Sequence, residues 1–311
     1  MRKRIGIIGL GDIAQKAYLP VLGQSDRVDI VGMMSRTKST VDAVGQRYRM
    51  EGRYTELEPL LDQKPDAVFV HTPTPTHEEI VITCLQQGIH VYVDKPLSYD
   101  IEASTQMAKV AQEQGRLLAV GFNRRFAPMY AEAKRWIEEA GGFDLCISQK
   151  HRTRQQQMSA KHTLYDDMIH MLDLMLWLGM KPHQLASYVE SQDESGKLLH
   201  ATGSLLFDQA TAIFSMNRRA GADLEKVELH GGGRTVEITN LEQAVWHDRT
   251  TGQQVKRFGS WESISYRRGF HGIINHFLDS IDMPEQCTIR ADQVLASHEL
   301  VETLCARNKN L

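Results

Sequence analysis

A regular alternation of short apolar runs with helix-like segments over residues 1–122 constrains this chain more than any other feature. The runs are rich in β-branched residues, as buried strands are. Parallel strands need long crossovers between them, and helices usually supply these. The alternation therefore predicts a doubly wound parallel sheet of about six strands with helices on both faces. Five of these strands are expected near residues 2–9, 28–35, 66–71, 90–94 and 117–122.

The pattern changes after residue 122. Several segments between residues 145 and 239 alternate apolar and polar side chains. Such alternation is typical of antiparallel strands with one face on a core and the other solvated or docked on a partner. We therefore expect an α/β chain of two domains: a parallel-sheet domain at 1–122 and a second α/β domain at 123–311, joined by a short hinge. The second domain is expected to contain a large, mostly antiparallel open sheet.

Composition excludes several classes of protein. The net charge of −3 with mixed signs gives no reason to expect nucleic acid or an anionic membrane as a partner. No apolar run approaches the ~20 residues that span a bilayer. The basic N-terminus does not predict a signal peptide, because glycines and Asp12 interrupt its apolar run. Scattered cysteines without a C-x-x-C pair suggest reduced thiols in the cytoplasm and no metal site. These are Cys84, Cys146, Cys287 and Cys305.

A G-x-G-x-x-A motif connects the first predicted strand to the first helix. Gly9 permits the tight turn, Gly11 lets the backbone approach a pyrophosphate, and Ala14 allows close packing of the helix on the strand. Asp12 and Ile13 complete the loop, whose free N–H groups lie at the positive end of the helix dipole. Because the motif begins a long strand–helix series, it predicts a Rossmann domain that binds a dinucleotide.

The end of the second strand bears on the choice of cofactor. NAD-specific sites usually place an Asp or Glu there to bind the ribose 2′-hydroxyl. This chain instead has Ser35, Arg36 and Thr37. An arginine beside hydroxyl residues suits the 2′-phosphate of NADP, so we expect NADP in preference to NAD. The alternative is that Arg36 is a solvated loop residue that stacks on the adenine.

A second cofactor loop is expected after the strand at 66–71, where ligands bind in open α/β sheets. The sequence there is His-Thr-Pro-Thr-Pro-Thr-His from His71 to His77. We expect Thr72, Pro73 and His77 to contribute to the cofactor site. Thr76 is also explained as the cap of the following helix.

Two further motifs carry the expected chemistry. Lys95, which precedes Pro96 directly after the fifth strand, can bind a substrate hydroxyl and favour its deprotonated form. In the apolar segment 164–178, Asp166, His170 and Asp173 have the i, i+4, i+7 spacing of one helix face. A buried polar stripe is a functional candidate because burying charge costs several kcal/mol unless partners exist. The alternative is a structural hydrogen-bonded network.

Together these motifs resemble the Gfo/Idh/MocA family of oxidoreductases (glucose–fructose oxidoreductase, inositol dehydrogenase and rhizopine catabolism proteins). The resemblance rests on the G-x-G-x-x-A motif, a T-P-x-x-x-H pattern, the Lys-Pro pair and a D-x-x-x-H-x-x-D pattern. Their order and spacing cover the whole chain. These motifs begin at Gly9, Thr72, Lys95 and Asp166, respectively.

The resemblance implies hydride transfer between a nicotinamide and a hydroxyl of a sugar, inositol or related polyol, without a metal. By analogy, Lys95 orients and polarises the substrate hydroxyl and also contacts the cofactor. His170 is the general base, or the acid in reduction, and Asp166 supports the charge of Lys95 or of the substrate. The family's open sheet commonly forms a homodimer or homotetramer interface.

The chain departs from the family's usual pattern in two places. Asp94 stands where many members have Glu, and the residues before the catalytic helix lack the usual glycines. The basic run 150–154 also changes the expected substrate pocket. Arg152 or Arg154 could bind an acidic group such as a uronate or a sugar phosphate; the alternative is a solvated strand edge or an intersubunit contact.

Three functions remain open from the sequence. The first is a dehydrogenase or reductase that acts on a carbohydrate or polyol. The second is a cofactor-binding regulator of the same fold without turnover, although a pure sensor need not retain Lys95, Asp166 and His170 together. The third is reduction of an imine or a double bond, and the Asp–His pair favours hydroxyl chemistry over this.

Overall fold

The computed structural model describes residues 2–179 and 183–308. Their backbone forms two compact units. The first comprises the described part of Met1–Phe122 together with Phe270–Leu295, and the second comprises the described parts of Asn123–Gly269 and Ala296–Leu311. Among the described residues, no helix is both long and apolar enough to cross a membrane.

The first unit contains a six-stranded parallel sheet in the order β3-β2-β1-β4-β5-β6. This confirms the predicted Rossmann-type sheet, including its five apolar strands. The sixth strand has only two residues, too few for the apolar periodicity that marks the others. The strands are β1 (Lys3–Ile8), β2 (Val28–Met34), β3 (Arg53–Tyr54), β4 (Ala67–Val70), β5 (His90–Val93) and β6 (Leu118–Val120).

The helices of the first unit connect these strands. The first helical stretch contains a π-helical turn, Ala14–Tyr18, that leads directly into α1. Pro20 lacks the N–H that a regular helix needs, yet the helix continues through it to Leu22 after this wider turn. The α-helices are α1 (Leu19–Leu22), α2 (Lys38–Arg47), α3 (Glu58–Leu61), α4 (His77–Gln86) and α5 (Ile101–Glu113).

Residues 270–295 return to the first unit, although the sequence places the whole of 123–311 in the second domain. The N–H of Val120 in β6 donates to the carbonyl of Ile289 over 2.9 Å. Helix α10, residues Phe270–Ser280, packs Phe277 against Phe69 and Tyr92, with ring centroids 5.2 and 5.4 Å apart. Apolar periodicity shows that α10 has a buried face, but it does not show which core covers that face.

The second unit contains an eight-stranded sheet in the order β14-β13-β12-β11-β7-β10-β9-β8. Only β7 and β10 are parallel, so the predicted, mostly antiparallel sheet is confirmed. The strands are β7 (Leu145–His151), β8 (Gln184–Gln192), β9 (Leu198–Leu206), β10 (Thr211–Asn217), β11 (Leu224–Gly231), β12 (Arg234–Thr239), β13 (Gln243–Asp248) and β14 (Gly252–Arg257).

Helices cover one face of this sheet. Cys146, Ser148 and Lys150 of β7 alternate onto the buried face, where α8 contacts β7 and β10. A π-helical turn at Leu164–Met168 precedes α8 (Ile169–Gly179). Asp166 lies in this turn, and His170 lies in the first turn of α8. The helices of this unit are α6 (Pro128–Glu138), α7 (Ala160–Thr163), α8 (Ile169–Gly179), α9 (Ile264–Arg267) and α11 (Ala291–Asn308), which begins in the first unit.

The return of α10 to the first unit can be tested with Phe277→Ala. Removing this fully buried ring should cost about 3–5 kcal/mol of unfolding free energy in urea, because it leaves a cavity against Phe69 and Tyr92. Hydrogen exchange should quicken in β4 and β5. The exposed control Val255→Ala should change little. Faster exchange in the second unit's strands alone would contradict this assignment.

Candidate active site

The glycine turn after β1 fits a dinucleotide. Gly9 has φ of +90°, and a Cβ there would lie 2.6 Å from the carbonyl carbon of His71, so only glycine is tolerated. At Gly11, by contrast, a Cβ would meet no atom within 4 Å. The space beside Gly11 and the start of the next helix is therefore open to a pyrophosphate.

The residues after Gly11 shape the opening of this helix. Ile13 is an exposed apolar side chain, with 41% of its surface accessible, and it offers a contact to a bound nucleotide. Asp12 instead forms an ion pair with Lys16 at 2.5 Å. Ala14 is fully buried and begins the π-helical turn that continues to Tyr18. Turns of this kind occur often at functional sites.

The loop after β2 presents Arg36 to solvent. Ser35 is fixed by a backbone hydrogen bond from its N–H to the carbonyl of Tyr54, at 3.1 Å. Arg36 and Thr37 follow as exposed residues before α2. An exposed guanidinium at this strand end is free to reorient toward a phosphate.

His77 joins two loops of the first unit. Its ring is 1% exposed, with Nε2 2.9 Å from the carbonyl oxygen of Thr72 and Nδ1 3.1 Å from that of Pro96. Burial lowers the pKa of His77, against the opposing effect of these carbonyls. The hydroxyl of Thr76 donates within the same loop, to Thr72 and Pro73, and does not cap α4. These contacts link the loop after β4 to the loop after β5.

A buried carboxylate network, Asp94 with Tyr18, His71 and Tyr92, lies directly before Lys95. The Tyr18 hydroxyl donates to Asp94 over 2.7 Å, and Nδ1 of His71 lies 2.7 Å from the other Asp94 oxygen. The hydroxyls of Tyr18 and Tyr92 are 2.8 Å apart. Burial opposes the charge on Asp94, but His71 and Tyr18 outweigh it and hold the Asp94 pKa below its ordinary value.

The Asp94 side chain is thus within hydrogen-bond distance of both Tyr18 and His71. Lys95 follows at the carboxyl end of β5, half-buried, and its peptide bond to Pro96 is cis. The sequence reasoning singled out Lys95 but missed Tyr18 and Tyr92. Both tyrosines occur in apolar runs, which predict burial but not a shared carboxylate.

In the second unit, Asp166 and His170 flank the junction between the π-helical turn and α8. Asp166 is half-buried and accepts a hydrogen bond from Nε2 of Gln156 at 3.0 Å. His170 is 9% exposed. The wider turn changes the angle between successive side chains, so the single stripe drawn at a regular helical spacing does not run unbroken through this segment.

Asp173 belongs to a structural ion pair. Its side chain is fully buried and accepts two hydrogen bonds from Arg125, at 2.6 and 2.9 Å, and one from Ser297 at 2.8 Å. Both oxygens of the Asp173 carboxylate therefore accept hydrogen bonds from within the second unit. Asp173 thus belongs to a structural hydrogen-bonded network, which was the alternative to a functional stripe.

A buried ionic cluster beside Asp166 was not found by sequence reasoning. Asp167 forms ion pairs with Lys150 at 2.5 Å and with Arg218, and Arg124 donates two 3.0 Å hydrogen bonds to Glu225. Burial disfavours both carboxylates, but these cations outweigh it, lowering the pKa of Glu225 to about 2 and that of Asp167 further. The alternation of β7, which places Lys150 on the buried face, was the available signal.

Among the described residues, no three His, Cys, Asp or Glu side chains are grouped so that they could hold a metal ion.

The fold and the glycine turn define an NAD-binding oxidoreductase class. The family model for oxidoreductases with an NAD-binding Rossmann fold matches residues 3–122, and a YceM-like C-terminal domain model matches residues 128–249. The YceM protein of Salmonella typhimurium is 34% identical over 303 residues, covering 97% of this chain and 96% of its own length. The chain belongs to the Gfo/Idh/MocA family, as its motifs predict.

Solved structures agree with this assignment. A dehydrogenase, MviM, from Clostridium difficile matches with a TM-score of 0.92 and 31% identity, covering 99% of this chain and 100% of that one. The scyllo-inositol 2-dehydrogenase (NAD(+)) of Bacillus subtilis is 27% identical over 257 residues, covering 78% of this chain and 73% of its own. The chain is therefore a member of an NAD(P)-binding oxidoreductase family, and its relatives include inositol dehydrogenases.

The structural role of Asp173 predicts a large loss of stability in Asp173→Ala. Leaving Arg125 buried without its carboxylate should cost about 3–5 kcal/mol in urea unfolding. The double variant Arg125→Met/Asp173→Leu should recover much of this loss, because it removes both charges and keeps the volume filled. A single variant as stable as the wild type would contradict the structural assignment.

Proposed function

We propose that this chain transfers a hydride between a nicotinamide cofactor and a hydroxyl or carbonyl of a sugar, inositol or related polyol. The observation that carries the proposal is that each candidate catalytic segment is rigidly supported within its own unit. Lys95 follows the buried Asp94 network, and Asp166 and His170 lie where a π-helical turn meets α8. Such support is what a reacting group needs to hold a productive geometry.

The first unit is proposed to bind the cofactor and the second the substrate. Gly9, Gly11, Asp12, Ile13 and Ala14 would hold the pyrophosphate and adjacent ribose through the helix start. Ser35 and Arg36 would contact the 2′-phosphate, so NADP is the preferred cofactor and NAD the alternative. Thr72, Pro73 and Lys95 would contact the nicotinamide side, and His77 would act indirectly by joining their loops.

The nicotinamide, when bound, supplies or accepts the hydride. Lys95 would donate a hydrogen bond to the substrate oxygen and stabilise its negative charge. In oxidation, His170 would take the hydroxyl proton, and in reduction it would return that proton to the carbonyl oxygen. Asp166 would stabilise the positive charge that His170 gains, and Arg152 would contact the substrate.

Two alternatives are weaker. A regulator without turnover would need the cofactor loops alone, and nothing in such a role requires Lys95, Asp166 and His170 together. Reduction of an imine or a double bond would not need a residue that removes a hydroxyl proton. Two relatives from Bacillus subtilis, named as scyllo-inositol 2-dehydrogenases, use NAD(+) and NADP(+) respectively by their names, and so support hydroxyl chemistry with either cofactor.

Assembly into a homodimer or homotetramer is proposed through the open face of the second unit's sheet. Val189, Leu206 and Ile213 are exposed apolar residues on the adjacent strands β8, β9 and β10. The strand register places them on one face, opposite the buried Phe214. Grouped apolar side chains on a sheet face are typical of an interface between subunits.

The role of Lys95 predicts that Lys95→Met abolishes turnover while cofactor affinity falls only modestly. Removing a group that acts on the reacting oxygen should lower kcat by about 10²–10⁴-fold. Steady-state kinetics and cofactor fluorescence titration measure the two effects separately. The matched control is Lys109→Met on the surface of α5, which should leave both values unchanged. Full activity in Lys95→Met would refute the proposed role.

The cofactor preference is tested by titrating the protein with NADPH and NADH and following reduced-cofactor fluorescence. NADPH should bind more tightly, and Arg36→Gln should weaken NADPH by about 10–100-fold, because a charge-assisted hydrogen bond is lost. NADH affinity should hardly change. The exposed control Arg49→Gln should alter neither. Tighter NADH binding by the wild type would reverse the assignment of Arg36.

A further inference from the structure

Cations collect at one edge of the second unit's sheet. The parallel strands β7 and β10 end there at His151 and Asn217, which are paired in register, and β11 begins there. Arg152 and Arg218 directly follow these two strand ends. Lys150, the last buried residue of β7, lies beside them. Strand pairing therefore brings three cationic residues together.

The two buried carboxylates of this edge are already matched with closer cations. Asp167 lies 2.5 Å from Nζ of Lys150 and also pairs with Arg218. Glu225 accepts two parallel 3.0 Å hydrogen bonds from Arg124, a bidentate geometry that is favourable for an arginine and a carboxylate. Both carboxylates thus have a cation closer than Arg152.

Arg152 is the cation of this edge whose described hydrogen bonds go to backbone carbonyls and not to a carboxylate. Its nearest carboxylate oxygens lie at 3.7 Å in Glu225 and 3.9 Å in Asp167, beyond hydrogen-bond distance. Its Nη1 donates to the carbonyl of His151 at 3.0 Å, which holds the side chain in place. The Arg152 side chain is 25% exposed, whereas those of Lys150 and Arg218 are 1% and 5% exposed. Arg152 is therefore the most accessible of these three cations.

Other charged groups surround Arg152. Arg268 adds a further cation, and the third nearby carboxylate, Asp223, is already engaged by the N–H and hydroxyl of Thr153. Burial and the neighbouring Arg124 lower the pKa of Lys150 to about 8, despite the attraction of Asp167 and Glu225. The buried Nε of Arg218 also makes no hydrogen bond to any described residue. Guanidinium N–H groups of this cluster therefore remain available beyond the hydrogen bonds that the described residues make.

We propose that the substrate carries a carboxylate or phosphate group, which Arg152 binds at the open end of this cluster. The proposal rests on the proposed function, because Asp167 of the cluster adjoins Asp166 in the chain. An anionic group held at Arg152 would anchor the substrate beside the segment that carries Asp166 and His170. A guanidinium gives two parallel N–H donors to either anion.

The test is isothermal titration of the NADPH-loaded protein with D-glucose, D-glucuronate, D-glucose 6-phosphate and inorganic phosphate. At least one anion should bind ten times more tightly than glucose. Glucuronate alone would indicate a sugar acid, and the two phosphates a phosphorylated sugar. Equal affinity for glucose and all three anions would overturn the proposal.

Substitutions at Arg152 test whether this residue is responsible for the preference for an anion. Arg152→Gln should lose the preference for the anion, and Arg152→Lys should retain part of it, because the charge remains while the paired donors are lost. Arg249→Gln removes the same charge from an exposed turn at the opposite end of the sheet and should bind as the wild type does. A preference that survives in folded Arg152→Gln would also overturn the proposal.

Binding is read without turnover, so the two proposals fail separately. If anions bind through Arg152 but no NADP(H)-linked turnover is found with any sugar acid or phosphate, the anion site stands and the oxidoreductase proposal fails. If a neutral polyol turns over and its affinity is unchanged in Arg152→Gln, the oxidoreductase proposal stands and the anion site fails.

Discussion

Buried carboxylates held by hydrogen-bond donors fix the reactive segments of this protein. Burial by itself would neutralise an aspartate, so each one remains charged only because neighbouring groups stabilise it. In the first unit, Tyr18 and His71 do this for Asp94 and thereby set the corner that carries Lys95. In the second, Lys150 and Arg218 do it for Asp167 and anchor the turn that carries Asp166. Lys95 and Asp166 themselves remain only partly buried, whereas His170 is 9% exposed.

A π-helical turn lies at the candidate site of each unit. One follows the glycine turn and delivers Tyr18 to Asp94; the other places Asp166 and Asp167 before α8. A wider turn re-aims side chains without ending the helix, at some cost in regular hydrogen bonding. Both turns are flanked by buried apolar residues, whose packing offsets that cost. The rigid support of the two segments thus comes from the surrounding cores.

Motifs with fixed local geometry could be predicted from the sequence, and those that depend on partners could not. The glycine turn at Gly9 and the strand pattern were predicted correctly because each depends on neighbours in the chain. Asp173 looked like a member of a functional stripe because its partner, Arg125, is 48 residues away. The hydrogen bond between His77 and the carbonyl of Pro96 was equally hidden, because Pro96 belongs to the loop after the next strand. The cluster around Asp167 joins residues of five elements, and the only local signal for it is the alternation of β7 that places Lys150 on the buried face.

The sequence by itself determined the parallel and antiparallel sheets, the family, and the identity of the candidate reactive residues. These follow from periodicity and from short motifs, which act over a few residues. Only the tertiary structure decided that residues 270–295 pack with the first unit, that Asp173 is structural, and that Arg152 faces its carboxylates at 3.7 and 3.9 Å, beyond hydrogen-bond distance. Each of these is a matter of which distant groups meet. From the sequence alone, a buried apolar face or a charged side chain has many possible partners. The folded chain brings only one set of these partners together.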